Sequence, residues 1–292
     1  MERTLASEFQ KNKGTGWTII YIWNANSGEL KKVIMKNTGI VLSGGGARCY
    51  GHLGLLAVLD EMEVVPSAIS GVSGGAMVGA LYASGMKAID ILDIARKSSF
   101  TSLSRILWRG NAFFSMEAIG KLIREYIPQD RIEKLPIRFF LNATDFTHNE
   151  TLFFSEGPLW ENLLASASVP LLFKPVRREG AMLVDGGLLN NLPVEPLAGH
   201  CTVIIGSHVN RQRPLPEGNR RLSRLAVLER SFHMAIATTV YERGRHCQLL
   251  LEPPLQEFSM FDLRNPQALF EISYRYASEH RQAIADLVLG EG

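Results

Sequence analysis

The sequence predicts an α/β fold of three layers, a mainly parallel sheet with helices on both faces. Three observations lead there. Short apolar runs of strand length alternate with longer runs whose apolar residues recur at helical spacing. Two of the strands pass through glycine turns straight into helices, the way crossover connections begin. The chain is also large enough: 292 residues, 46% hydrophobic and 21% charged, bury about 75% of their unfolded surface without a disulfide or metal.

"GIVLS" (Gly39 to Ser43) reads as a buried strand, followed by the turn Gly44, Gly45 and Gly46 and a helix over 47–62. "AISGV" (Ala68 to Val72) is the second strand, and the helix behind it runs from Gly74 to Ser84 and stops at Gly85. A helix follows over 87–97. Another is expected from Ser115, an N-cap with Glu117 in the first turn, to Ile127 before Pro128. "IRFFLNAT" and "TLFFS" are strands, and Pro158 suits the first turn of a helix reaching Ala167. Strands "AMLV" (Ala181 to Val184), "TVIIGS" (Thr202 to Ser207) and "LLLEP" alternate with helices over 223–246 and 266–288.

One domain, 37–292, accounts for this order. Residues 1–36 read as a loosely attached extension, poorly ordered or adding one strand. "WTIIYIW" (Trp17 to Trp23) is at the short limit for a signal-peptide core, and Glu2 and Glu8 spoil the basic region before it. Met35 stands where translation could begin; N-terminal sequencing of native material that found Met1 would dispose of that idea. The polar stretch from Asn210 to Ser223 reads as a mobile surface loop.

The formal charge of +2 argues against a nucleic-acid partner, which needs a concentrated basic face, and allows only weak attraction to anionic lipid. Cys49, Cys201 and Cys247 are odd in number and lack metal spacing, which fits a reducing, cytoplasmic compartment. No apolar run approaches the ~20 residues that cross a bilayer.

Three stretches carry chemistry. Gly71-Val72-Ser73-Gly74-Gly75 fits G-x-S-x-G, a strand-to-helix turn that lifts a serine hydroxyl clear of the sheet, or else a packing turn. The helix behind Ser73 offers unpaired N–H groups to a developing negative charge. "LSGGGARCYGHLG" (Leu42 to Gly54) bares successive backbone N–H groups beside Arg48 and suits an anion. Phosphate is the poorer fit. His52-Leu53 stands where a P-loop needs Lys-Ser/Thr, and the dinucleotide pattern fails at Cys49. An oxyanion hole serving Ser73 fits better, with Arg48 near the charge or in a surface ion pair. "LVDGGLLNNLPV" (Leu183 to Val194) ends a strand at Asp185, which can converge on Ser73 at the carboxyl edge of the sheet or cap the turn Gly186-Gly187. Asn190 and Asn191 hold that loop. Among the seven histidines, only His208, after the "TVIIGS" strand, stands as a base for a Ser-His-acid triad.

Together with "ASASVPLLFKPV" (Ala165 to Val176), these motifs resemble, in order and separation, the patatin-like phospholipases, from about Gly39 to about His280. Cys49-Tyr50 departs from the small residue or glycine often found there. The resemblance implies a patatin-like fold and a lipid acyl hydrolase with a Ser–Asp dyad, here Ser73 and Asp185. Gly44, Gly45, Gly46 and Arg48 would form or support its oxyanion hole. It implies an acyl-enzyme, a phospholipid or related glycerolipid substrate, no cofactor, no calcium, and peripheral membrane contact. Phe113, Phe114, Met116, Phe153, Phe154, Leu171, Leu172 and Phe173 are acyl-pocket residues under this reading or plain core. Two other readings stand beside it: a triad esterase of small soluble esters using His208, and a non-catalytic lipid-binding module. Oligomeric state is not legible.

Overall fold

The computed structural model describes residues 10–11, 17–24, 29–101, 112–170, 172–212, 214 and 222–291. In chain order come β1 (Gln10–Lys11), β2 (Trp17–Asn24), β3 (Glu29–Lys36) and β4 (Thr38–Leu42), then α1 (His52–Glu61), β5 (Ala68–Gly71) and α2 (Gly74–Ala83). Helices α3 (Ala88–Thr101) and α4 (Ala112–Tyr126) precede β6 (Arg138–Asp145), β7 (Glu150–Phe154) and α5 (Leu159–Ser166). The second half holds β8 (Val176–Arg178), β9 (Ala181–Asp185), α6 (Glu195–Ala198) and β10 (Val203–Ser207). It ends with α7 (Arg224–Gly244), β11 (Leu249–Leu251), α8 (Pro266–Glu279), α9 (Arg281–Val288) and β12 (Leu289–Glu291).

The main sheet has eight strands in the order β11-β10-β4-β5-β6-β9-β8, with β7 also on β6. From β11 to β6 every pairing is parallel; β7, β9 and β8 pair antiparallel. Alternation along the strands builds the two faces. Ile40 and Leu42, Phe139 and Leu141, and Ile205 pack with residues of α1, α2, α3, α5 and α8 such as Leu56, Leu92, Leu163 and Leu269. Their neighbours Val41, Phe140 and Ile204 pack with Leu197 of α6 and Val240 of α7. Buried on both faces, these strands are the near-continuous apolar runs expected of a parallel sheet.

Several boundaries differ from the sequence expectation. Where one added strand is expected, β2 and β3 form an eight-residue antiparallel pairing, joined by β1 and by β12 from the far end of the chain. The helix expected from Ser115 spans Ala112–Tyr126, three residues longer at its start, which puts Ser115 inside the helix. Residues 46–51 form a 3-10 turn before α1, and Pro158 sits one position ahead of α5, as its cap. The terminal helix breaks at His280, whose Nδ1 donates to the Tyr276 carbonyl at 2.8 Å. Of the loop expected over 210–223, residues 213 and 215–221 lie outside the described residues.

Candidate active site

The topology around β6 brings the two ends of interest together. Leu141 pairs with Gly71 of β5 on one side and Phe154 of β7 on the other. Two residues on, Ala143 pairs with Asp185 of β9 and Leu152 of β7. Since β7 holds one side throughout, β5 and β9 share the other, meeting head to head from opposite directions. The chain leaves β5 at Val72-Ser73 just where β9 delivers Asp185. Convergence thus comes from opposed strands, not from two parallel strands ending on one edge as the sequence suggests.

Ser73 adopts φ 54° and ψ −127°, a left-handed backbone that costs on the order of 1–3 kcal/mol in a non-glycine residue. It is held by its own N–H, which donates to Ser166 Oγ at 2.8 Å, and by the first turn of α2, where the Gly75 and Ala76 N–H groups donate to the Val72 carbonyl. A Cβ at Gly75 would lie 2.4 Å from the Ser43 carbonyl oxygen, so glycine is what lets the elbow sit against the glycine loop.

Asp185 fills both roles the sequence left open. Its Oδ1 accepts the Gly187 N–H at 2.8 Å and caps the turn over Gly186–Leu188. Its carboxyl also lies near enough to the Ser73 hydroxyl for that group to favour the ionised form. Burial pushes the carboxyl up to about 6 against the opposing pull of those two donors. The result is a group that is ionised at neutral pH and still willing to take a proton.

The loop of Gly44, Gly45 and Gly46 lies beside the hydroxyl: a Cβ on Gly44 would be 3.2 Å from Ser73 Cβ. Gly46 has φ 54°, and a Cβ there would meet the Met260 carbonyl at 2.2 Å. Among the described residues none accepts a hydrogen bond from the N–H groups of Gly44, Gly45, Gly46 or Gly74. Asn191 and Asn210 both donate to the Gly44 carbonyl and fix the peptide from behind. His52 anchors the loop's start. Burial lowers it to about 4, so the neutral ring donates Nε2–H to the Ser43 carbonyl and accepts at Nδ1 from Ser207.

Arg48 is neither a surface ion pair nor an anion-facing charge. Its guanidinium is buried and donates to Phe258 O at 2.7 Å, Asn210 Oδ1 at 3.2 Å and Glu229 Oε1 at 2.6 Å. Through Asn210 it braces the Gly44 carbonyl. Glu229 in turn accepts from the Met260 N–H and Ser259 Oγ. Sequence reasoning missed Asn210, Ser166 and Glu229. Asn210 sat in a stretch read as solvent-facing, and nothing local marks the other two.

His208 is buried at the end of β10, with Nδ1 2.9 Å from Glu252 Oε1 and its ring edge-on to Tyr241. β10 stands two strands from β5, about 10 Å at ordinary strand spacing. The side chains of Phe113, Phe114 and Met116, and residue Leu171, lie outside the described residues. Phe153 and Phe154 line a cleft of about 310 Å³ with Phe140, Ser155, Glu195 and Pro196, a set that includes neither Ser73 nor Asp185. Phe173 packs on the core. Asp145, His148 and Glu150 bring ligand atoms within 4.8 Å of one another. Asp145 there already pairs with His148 and accepts the N–H groups of Thr147 and His148, closing the β6–β7 turn. No helix among the described residues is long and apolar enough to cross a membrane.

A family model described as Patatin-like phospholipase matches residues 40–198, a stretch that includes the glycine loop, Ser73 and Asp185. Lysophospholipase NTE1 of Candida glabrata is 26% identical over 313 residues, covering 96% of this chain and 18% of that protein. Lysophospholipase NTE1 of Saccharomyces cerevisiae is 24% identical, covering 96% and 19%. The chain therefore spans less than a fifth of the length of these relatives. Among solved structures, VipD from Legionella pneumophila superposes with a TM-score of 0.52 at 14% identity, over 99% of this chain and 71% of that one. Human GIVD cytosolic phospholipase A2 gives 0.50 at 9%, over 87% and 60%. At such identities the likeness is one of fold.

Proposed function

The chain belongs to the patatin-like phospholipase family, and from that premise we propose that it hydrolyses fatty-acyl esters of phospholipids or lysophospholipids through Ser73 and Asp185. One observation carries the reading: opposed strands bring the Ser73 hydroxyl beside a buried carboxyl whose proton affinity burial has raised. Asp185 takes the hydroxyl proton as Ser73 Oγ attacks the ester carbonyl carbon. The N–H groups of Gly44, Gly45, Gly46 and Gly74, which have no acceptor among the described residues, would donate to the tetrahedral oxyanion. Collapse breaks the ester C–O bond, and Asp185 returns the proton to the departing alcohol. Asp185 then deprotonates a water that attacks the acyl-enzyme, releasing the fatty acid and restoring Ser73. Arg48 acts as a positioning residue behind the glycine loop.

The lysophospholipase names of the similar proteins support a single-chain lipid as the first substrate to try. Such substrates reside in or at membranes, so contact with the bilayer would be peripheral. The test is fatty-acid release from a panel of phospholipids, lysophospholipids and neutral glycerides, run beside Ser73→Ala. Release by the wild type and none by the variant, with a fluorophosphonate probe labelling only the former, is expected. No release from any lipid would overturn the proposal, and absence of labelling would favour a binding module.

A further inference from the structure

Helix α7 divides into two faces. Glu229, His233, Ile236 and Val240 point inward, and Glu229 holds Arg48 behind the glycine loop. The outward arc carries Val227, Leu228, Met234 and Tyr241, between 41% and 58% exposed. Between them stand only Ser231, Ala235 and Thr238. At 100° per residue these seven positions share one stripe, about 21 Å long from Val227 to Tyr241. That stripe bears no charge. At its ends stand Arg224 and Arg245, both exposed, with Glu242 the acid beside them. Arg211 is exposed as well.

We propose that this outward face of α7 docks on a lipid surface carrying anionic headgroups. An apolar stripe flanked by arginines matches an interfacial helix, its side chains entering the acyl boundary while guanidinium groups meet phosphates. The charge favours that occupant over a second copy of the chain, which would present the same positive face. The proposal rests on the lipid-hydrolase reading and extends it: the helix that braces the glycine loop with one face, through Glu229 and Arg48, would seat the bilayer with the other.

The test uses the full chain with vesicles of phosphatidylcholine, with and without phosphatidylglycerol, measured by co-sedimentation. Wild type is expected to bind the anionic vesicles preferentially, with binding weakening as salt rises. Val227→Ser with Met234→Ser should weaken binding roughly tenfold through lost apolar burial, and Arg224→Gln with Arg245→Gln should erase the anionic preference. Turnover of a soluble short-chain ester should stay unchanged in both, which also reports that they fold. Vesicle binding indifferent to both pairs of changes overturns the proposal. So does loss of self-association, measured by light scattering, in place of loss of vesicle binding. Vesicle binding that depends on α7 in a protein that hydrolyses no lipid would keep the docking surface and remove the hydrolase.

Discussion

Replacing Asp185 by asparagine tests the site through stability as well as rate. The amide can still accept the Gly187 N–H that Oδ1 holds at 2.8 Å, so what changes is chiefly the buried charge. In the folded chain burial raises the carboxyl from the ordinary 3.8 to about 6. Its folded value therefore lies above its unfolded one. The stabilisation from holding the proton is full below about pH 3.8 and is lost as pH rises through about 6. Above that the folded chain carries an ionised group at a cost of about 3 kcal/mol, from a shift of about two pKa units. Asp185→Asn should therefore stabilise the protein by up to about 3 kcal/mol at pH 8, about 6 °C in Tm for a chain of this size. At pH 5 the gain should be about half that, and at pH 4 it should nearly vanish. Thermal unfolding followed by circular dichroism across that range gives the curve. In parallel, kcat/KM of the wild type should fall about tenfold from pH 7 to pH 5, as the base is protonated around pH 6, and the variant should be inactive. A variant no more stable at pH 8 than at pH 4 would refute the buried-charge argument. A variant that keeps its activity would refute the base.

The remaining outcomes follow from the same contacts. Arg48→Met leaves Glu229 buried without its 2.6 Å partner and should cost about 3–5 kcal/mol in urea unfolding, whereas Arg48→Met with Glu229→Met should recover most of it. Asn210→Ala removes a donor to the Gly44 carbonyl and should lower kcat about tenfold with KM little changed, since the loop and not the substrate loses its support. His208→Asn should leave soluble-ester turnover within about threefold; a loss of about a thousandfold or more would restore the imidazole as base.

The elbow and the aspartate were legible because each needs an unusual local chemistry. A serine between glycines at a strand-to-helix turn, and an aspartate before Gly186-Gly187, stand out in any window of the chain. The way they meet was not legible. Whether β9 runs with or against β6 depends on pairing Ala143 with Asp185, which no local pattern encodes. The same limit hid the N-terminal sheet. "WTIIYIW" reads as one strand, but its partner is the charged run Glu29–Lys36, and that run closes on Leu289–Glu291 from the far end of the chain. The apolar spacing of 266–288 continues through His280, and only the ring's bond to the Tyr276 carbonyl marks the break. Asn210 looked solvent-facing for lack of apolar neighbours; its burial depends on Arg48 and Gly44, each more than 150 residues away in sequence.

Two buried carboxylates flank the glycine loop, and the difference between them gives a physical reason why the proposed dyad would work without a histidine. Glu229 has a guanidinium 2.6 Å away and serves as a brace. Asp185 is met by a hydroxyl and one backbone N–H, neither a cation. Without a compensating charge, desolvation alone lifts it to about 6, close to the ordinary imidazole value of about 6.5. Burial thus moves the carboxyl's proton affinity toward that of the base a triad would supply. It arrives on a strand end, held by its own Gly187 and Ser168 contacts, so no third residue is needed to orient it. A cation placed within reach of Asp185 would lower that affinity and cancel the advantage, which gives a physical reason for Arg48 to be turned away and held by Glu229.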